Sequence, residues 1–182
     1  MDFSHKNMIA INFIHLNEAQ KCEILTVRND ENIRKFMLDS KIIDKKTHFT
    51  FIKSLKNTKN MSYFAVYTKS DSSNLALLGV VCFNKIDLLN KNAFFGIYSV
   101  PNARNGANLL EMLEFIAFET LNLHILYAKV LSTNTKALRF YKKHHFLPCG
   151  KMIEAIKYEN RFIDIEIFYK INARQIKGEL LR

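Results

Sequence analysis

Apolar and polar positions follow two rhythms along this chain, and the switch between them marks its elements. Residues 8–14 form a short, partly alternating apolar run, which predicts a first strand. Asn17 can cap a helix over 19–27, whose broad apolar face carries Ala19, Cys22 and Val27. Arg28-Asn29-Asp30 interrupts it, and a second short helix is predicted over 31–38. Asp44 caps a third helix, in which Phe49, Ile52 and Leu55 recur at helical spacing and His48 falls one residue off the stripe. From Ser62 the period becomes two. Strands are expected at 63–67, 75–88 and 93–100, with polar turns at 69–74 and 90–92. Leu109, Leu110, Leu113, Ile116, Ala117 and Leu121 then share one side of a helix. A strand at 124–131, a helix at 133–145 and a hairpin of 151–158 with 161–170, turning at Glu159-Asn160, complete the series. In the last strand Ile163, Ile165, Ile167 and Tyr169 share one face; Phe162, Asp164, Glu166 and Phe168 share the other.

This order, with a meander of three strands between helical segments, suits a mixed sheet covered by helices on both faces better than an all-parallel one. With 182 residues, 48% of them apolar, and only five Gly and two Pro, the chain is read as one domain over residues 1–170 and a polar tail over 171–182. Residues 1–7 carry no apolar leader, and the longest apolar run, 75–83, is about half of a membrane span. The cysteines (Cys22, Cys82 and Cys149) are odd in number and far apart, without a C-x-x-C pair. A reduced, cytoplasmic protein without disulfide or metal site is expected. The net charge of +10 could serve nucleic acid or phosphorylated small molecules. Its lysines and arginines are spread out, with no block of five, so charge alone decides nothing.

The chemistry concentrates in Asn134-Thr135-Lys136-Ala137-Leu138-Arg139-Phe140-Tyr141, after the strand at 124–131. Asn134, Ala137, Leu138 and Tyr141 fall at i, i+3, i+4 and i+7, so one helix face mixes an amide, two apolar residues and a phenol. A helix that needed only burial has no use for the amide and the phenol. The pattern N-x-x-A-x-x-[FL]-Y-x-x-x-x-F after a strand resembles the second acetyl-CoA motif of the GNAT N-acetyltransferases. That resemblance implies the GNAT fold, an α/β fold with a central mixed, mostly antiparallel sheet flanked by helices on both faces. It also implies acetyl-CoA as cosubstrate, Asn134 and Ala137 against the pantetheine arm, and Tyr141 as the general acid for the departing thiolate.

Upstream, Pro101-Asn102-Ala103-Arg104-Asn105-Gly106-Ala107-Asn108 joins a strand to the Leu109 helix, where free helix N-terminal amides can receive a pyrophosphate. Set against the family's [QR]-x-x-G-x-[GA], Asn102 replaces Gln/Arg and Asn105 replaces Gly, while Ala107 fits. Asn tolerates positive φ, so Asn105 is expected to supply the turn. Arg104 adds a phosphate-seeking charge, and Tyr98 and Val100 border the same site from the preceding strand.

A narrower likeness runs over most of residues 10–170. The segments Val27-Arg28-Asn29, Phe36-Met37, Lys46-Thr47-His48-Phe49, Gly96-Ile97-Tyr98 and 113–119 resemble the pseudaminic acid pathway N-acetyltransferases. Those acetylate the 4-amino group of a UDP-linked 4-amino-4,6-dideoxy-N-acetyl-altrosamine, on the way to a flagellin-decorating sugar. By that resemblance Phe36 offers an aromatic plane to uracil, Arg28, His48 and Lys85 offer charge to the diphosphate, and Tyr98 borders the sugar. Lys129 stands on the strand before the motif helix where related sequences can place a carboxylate. A Glu base is therefore unavailable there, which leaves a water chain or His48. The partners expected are acetyl-CoA and a UDP-amino-sugar, with a homodimer allowed and neither nucleic acid nor membrane. The readings left beside this one are an acetyltransferase for protein N-termini, which an acidic groove would favour, and a basic nucleic-acid-binding module, which would need an aromatic and basic face.

Overall fold

The computed structural model describes residues 1–69, 75–158 and 160–173. A short strand β1 (Phe3–His5) turns into β2 (Met8–Asn12). The expected strand at 8–14 stops early because the Asn12 side chain accepts from the Ile14 N–H and caps a 3-10 turn, Phe13–His15. The strand before Met8 was not legible as one. Helix α1 (Glu18–Asn29) opens on a reciprocal cap, Asn17 accepting from the Gln20 N–H while Gln20 reaches back. Helix α2 (Glu31–Arg34), capped by Asp30, is half the expected length. Helix α3 (Lys45–Ser54) starts on Asp44, whose side chain accepts from the Thr47 N–H.

Strands β3 (Met61–Lys69), β4 (Leu75–Asp87) and β5 (Asn92–Ser99) form the antiparallel meander. Helix α4 (Gly106–Glu114) begins three residues before the periodicity suggested and widens into a π turn, Phe115–Thr120, closed by Leu121 N–H donating to the Ile116 carbonyl at 2.9 Å. Then come β6 (Ile125–Leu131), α5 (Thr135–Lys143), β7 (Leu147–Tyr158) and β8 (Arg161–Ile171). The 70–74 part of the expected turn, Glu159 of the hairpin turn and the tail from 174 onward lie outside the described residues.

All eight strands join one sheet in the order β1-β2-β3-β4-β5-β6-β8-β7, and only the β5–β6 neighbours run parallel. One face carries Phe83, Ala93, Phe95, Leu126, Ala128 and Phe168 against Leu109, Leu113 and Ile116 of α4 and its π turn, and against Tyr141 of α5. The other face carries Ala65, Tyr67 and Val80 against Ile24 and Val27 of α1 and Ile52 of α3. Leu109, Leu113 and Ile116 are fully buried, each contributing about 1.5–3 kcal/mol relative to exposure. Among the described residues no helix is long and apolar enough to cross a membrane.

Helix α5 ends in a left-handed residue, His145 at φ 64°. The Phe146 N–H returns to the Tyr141 carbonyl at 2.9 Å and the His145 N–H to the Lys142 carbonyl at 3.1 Å, the paired bonds of a Schellman end. A Cβ in that conformation costs roughly 1–2 kcal/mol, part of which glycine returns as unfolded-state entropy. His145→Gly is therefore expected to stabilise the fold by about 0.5–1 kcal/mol, a thermal midpoint about 1–4 °C higher by calorimetry. An unchanged or lower midpoint would mean that the imidazole makes a compensating contact.

Candidate functional site

The sheet opens at its one parallel junction. β5 and β6 pair from Asn92↔Ile125 to Phe95↔Ala128 and no further. Yet β5 stays on β4 as far as Ser99↔Gly79, and β6 stays on β8 as far as Leu131↔Ile165. Residues 96–99 and 129–131 therefore flank a wedge whose inner backbone groups have no ladder partner. Such an edge can bond an extended polar chain.

A cavity of about 380 Å³ occupies the mouth of this wedge. Ile97, Tyr98 and Ser99 of β5 form one wall, and Asn134, Lys136, Ala137, Phe140 and Tyr141 of α5 form another. Gly106 at the start of α4, and Asn32, Ile33, Phe36 and Met37 in and just after α2, complete it. No carboxylate is among these residues. Six of the expected site residues (Phe36, Tyr98, Gly106, Asn134, Ala137 and Tyr141) thus meet in one space.

Tyr141 is buried in an aromatic cage, with ring centroids 5.6 Å from Phe95, 5.5 Å from Phe140, 5.3 Å from Phe146 and 6.2 Å from Phe168. Its hydroxyl makes no hydrogen bond among the described residues. Burial first, and the neighbouring Cys82 thiol second, push the phenol well above its ordinary value, so it holds its proton at neutral pH. Asn134 caps α5: Oδ1 accepts from the Ala137 N–H at 3.1 Å, which leaves the Nδ2 donors for a ligand.

The loop before α4 is tied to β4 through one carbonyl. Leu78 O accepts from the Val100 N–H at 3.1 Å and from Asn105 Nδ2 at 3.2 Å. The Val100 amide is thus committed within the protein. Asn105 is the N-cap of α4 at φ −86° and supplies no side-chain cap, whereas the left-handed residue is Asn102 at φ 60°. The expected positive φ at Asn105 is corrected accordingly: the turn is made three residues earlier. The first intrahelical bond is Leu109 N–H to Asn105 O at 3.0 Å, so the amides of Gly106, Ala107 and Asn108 precede the helix ladder. Arg104 is exposed beside them.

Two close approaches were not anticipated. A Cβ on Gly106 would stand 3.2 Å from Phe140 Cε2, so the α5 ring lies directly on the start of α4. A Cβ on Gly79 would stand 2.3 Å from the Tyr98 carbonyl and 2.8 Å from Leu109 Cδ1, and Gly79 has φ +153°. Gly79 lets β4, β5 and α4 converge at the wedge. In the sequence it is only a break in an apolar run, and Phe140 only the neighbour of Tyr141.

The acceptor-side candidates divide. Arg28 is not among the residues that line the cavity, but it is close enough to the Tyr98 and Tyr63 phenols to interact electrostatically. Burial lowers its pKa before those neighbours partly restore it. Its Nη2 donates to Asp39 O at 2.6 Å, and its Nη1 is buried with no partner. Arg34 Nη1 donates to Ser40 O at 3.2 Å, and Asn29 exchanges two bonds with the Ile43 backbone, at 2.8 and 2.9 Å. Three side chains thus strap the segment that follows Phe36 and Met37. His48 lies away from the cavity, 5% exposed between α1 and α3, its Nε2 donating to the Lys21 carbonyl at 3.1 Å. Burial lowers its pKa. It belongs to the buried stripe with Ile52 and Leu55, displacing Phe49, which is less buried. Lys85 also lies away. It occupies the bulge between Asn84 and Asp87, its ammonium 5.9 Å from the Phe94 ring, roughly 15 Å along the strands from Tyr98.

A sheet split at a parallel junction, a free helix N-terminus on one side of it and an unpaired buried phenol on the other are the parts of an acyl-CoA transferase. Residues 11–167 match the acetyltransferase (GNAT) domain family, and the chain belongs to it. It is an acetyl-CoA-dependent N-acetyltransferase. The chain is similar to the acetyltransferase PseH of Campylobacter jejuni, 33% identical over 136 residues, which are 74% of this chain and 82% of that protein. The crystal structure of C. jejuni N-acetyltransferase PseH with acetyl coenzyme A superposes with a TM-score of 0.67 at 25% identity, covering 91% of this chain and 99% of that one. A Vibrio cholerae spermidine N-acetyltransferase, in complex with CoA and spermine, shares the fold at a TM-score of 0.79 and 19% identity, over 94% of this chain and 99% of that one.

Gly106→Val should push the Phe140 ring aside and place a branched side chain at the head of α4. Calorimetric titration with CoA is expected to show affinity at least about tenfold weaker. Equal affinity for Gly106→Val would remove this loop from the cofactor site.

Proposed function

We propose that the acceptor is the 4-amino group of a UDP-linked 4-amino-4,6-dideoxy-N-acetyl sugar, acetylated in pseudaminic acid biosynthesis for flagellin glycosylation. The observation that carries this reading is the unpaired, buried Nη1 of Arg28, a cation within electrostatic reach of Tyr98 in the wall of a cavity that no carboxylate lines. A guanidinium N–H without a partner is costly unless a ligand oxygen meets it, and a diphosphate offers several. Phe36 offers a ring to the uracil from the same cavity wall. A peptide N-terminus or a polyamine is a cation and would call for acidic groups in that place. The resemblance at Arg28, Phe36 and Tyr98 supports the same acceptor.

In the reaction we infer, acetyl-CoA lies with its pyrophosphate at the amides of Gly106, Ala107 and Asn108, with Arg104 alongside. Its pantetheine arm passes Asn134 and Ala137 into the wedge. The neutral amine attacks the thioester carbonyl directly in a ternary complex. The oxyanion is met by a backbone N–H of the unpaired stretch of β5. As the C–S bond breaks, Tyr141 gives its proton to the thiolate and is reprotonated from the ammonium nitrogen, leaving the amide and free CoA. With His48 bonded to a carbonyl in the helical layer, the remaining route for that proton is through water.

Release of free CoA, followed with the UDP-4-amino sugar, an N-terminal peptide and spermidine side by side, tests the acceptor. Turnover of the peptide or the polyamine with none on the UDP-sugar would refute the assignment. Tyr141→Phe is expected to lower kcat by about one to three orders of magnitude with little change in acetyl-CoA affinity. Wild-type kcat across pH 6–9 would mean that Tyr141 is not the acid.

Arg28→Ala should cost about ten- to a hundredfold in kcat/KM on the UDP-sugar, the worth of a charge-assisted contact of about 1.5–3 kcal/mol, and little on the free amino sugar. Asn29→Ala loosens the same strap without removing charge and serves as the control. An equal loss in both variants, or on both substrates, would make Arg28 a strap alone.

A further inference from the structure

The cavity is lined by no acidic group to take a proton from an incoming ammonium and by one ammonium, Lys136; a second lysine, Lys129, stands outside that lining, at the apex of the wedge. Lys129 is the first residue of β6 beyond the last rung shared with β5. By strand alternation it projects from the sheet face that carries Tyr127, Phe94 and Tyr98, opposite the face from which Tyr141 enters. Its Nζ stands 5.1 Å from the Phe94 ring centroid, which packs at 5.3 Å on Tyr127. The next residue of β5 on this face is Gly96, with no side chain between Phe94 and the wedge apex. Two residues of strand span roughly 7 Å. This is the α1–α3 side, the side of Arg28 and the strapped segment, from which an acceptor reaches a thioester held on the α4–α5 side.

We propose that Lys129 acts on the reaction through its charge rather than as a base: its ammonium, held by Phe94 at the wedge apex, keeps the acceptor amine in its uncharged, nucleophilic form. The physical cause is like-charge repulsion. A second positive charge within about 7 Å disfavours protonation of the amine, and its effect grows where the ligand displaces water. The ionisable groups facing Lys129 are consistent with this. From β4 come Lys85, whose ammonium shares the Phe94 ring, and Cys82, whose sulfur lies against Gly96 and whose thiol burial pushes up to about 11, keeping it uncharged. From β5 comes Tyr98, a phenol that burial pushes well above its ordinary value and so keeps uncharged. From β6 comes Tyr127, and β8 presents Ile167 directly across. Among the described residues Lys129 has no carboxylate partner, so its field is not cancelled locally. The proton lost by the substrate leaves to bulk water before attack. The nitrogen lone pair then forms the C–N bond, the C–S bond breaks, and the thiolate is protonated as above. No oxidant or further reactant enters.

The proposal rests on the N-acetyltransferase activity and is independent of which amine is the acceptor. The test is the pH profile of kcat at saturating substrates, which reports ionisations within the ternary complex, for wild type, Lys129→Gln and Lys129→Arg, measured by CoA release with the UDP-4-amino sugar. Where the wild type proves to acetylate an N-terminal peptide instead, that peptide is the acceptor and the same comparison applies. That result overturns the acceptor assignment but not the role of Lys129. Lys129→Gln is expected to move the acid limb upward by about one pH unit, so that activity below the limb falls about tenfold while the high-pH plateau is kept. Lys129→Arg, which retains the charge, should keep the wild-type limb. An unmoved limb in Lys129→Gln overturns the proposal. So does a pH-independent rise in KM, which would make Lys129 an anion contact, or an equal loss at every pH in both variants, which would make it a packing residue.

Discussion

Everything chemical in this molecule depends on the parallel pair β5–β6 coming apart after four rungs. Each strand is held on its far side, β5 by β4 and β6 by β8, so neither can follow the other. Twist accumulates between the two anchored blocks and separates them. The separation leaves backbone groups unpaired in the middle of a sheet, where they would be costly unless a ligand or water bonds them. Gly79 sharpens the divergence, since only a missing Cβ lets the Tyr98 carbonyl and the Leu109 side chain come so close to β4. The cavity is thus a consequence of how the sheet is anchored rather than of any one side chain.

On the α4–α5 side, helix ends and aromatic packing are joined. The Schellman end of α5 brings Phe146 back onto Tyr141, while Phe95 and Phe168 close on the same ring from the sheet. A phenol held from several directions has few rotamers left, so Tyr141 is fixed in place at the cavity wall. Phe140 carries this rigidity to the start of α4 by resting on Gly106. The amides at the head of one helix and the hydroxyl of the next are therefore held as one unit.

The α1–α3 side is built differently. Here side chains bond backbone: Arg28 to Asp39, Arg34 to Ser40, Asn29 to Ile43. A segment held by a few polar bonds opens locally at lower cost than a packed core. The structure thus pairs a rigid half, built from helix ends and aromatic packing, with a more adaptable half held by a few polar bonds.

Much of this was legible in the chain. Asn17 and Asp44 announce their helices because caps act locally, and the 134–141 helix reads as chemistry because an amide and a phenol share its face at fixed spacing. The pairing of that helix with the loop before α4 also followed from sequence order. Tertiary structure decided the rest. His48 looks off the stripe by periodicity, yet it is buried, because which side of α3 counts as inside is set by α1. Lys85 looks available, yet a bulge turns it to the closed end of the wedge. The left-handed turn of the loop sits at Asn102 rather than Asn105, because Asn105 is bonded to a carbonyl of β4, a strand far away in sequence. The wedge itself has no sequence signature. Local patterns specify which residues form a strand, but where two strands part company depends on what each is bonded to on its other edge, and those partners lie tens of residues away.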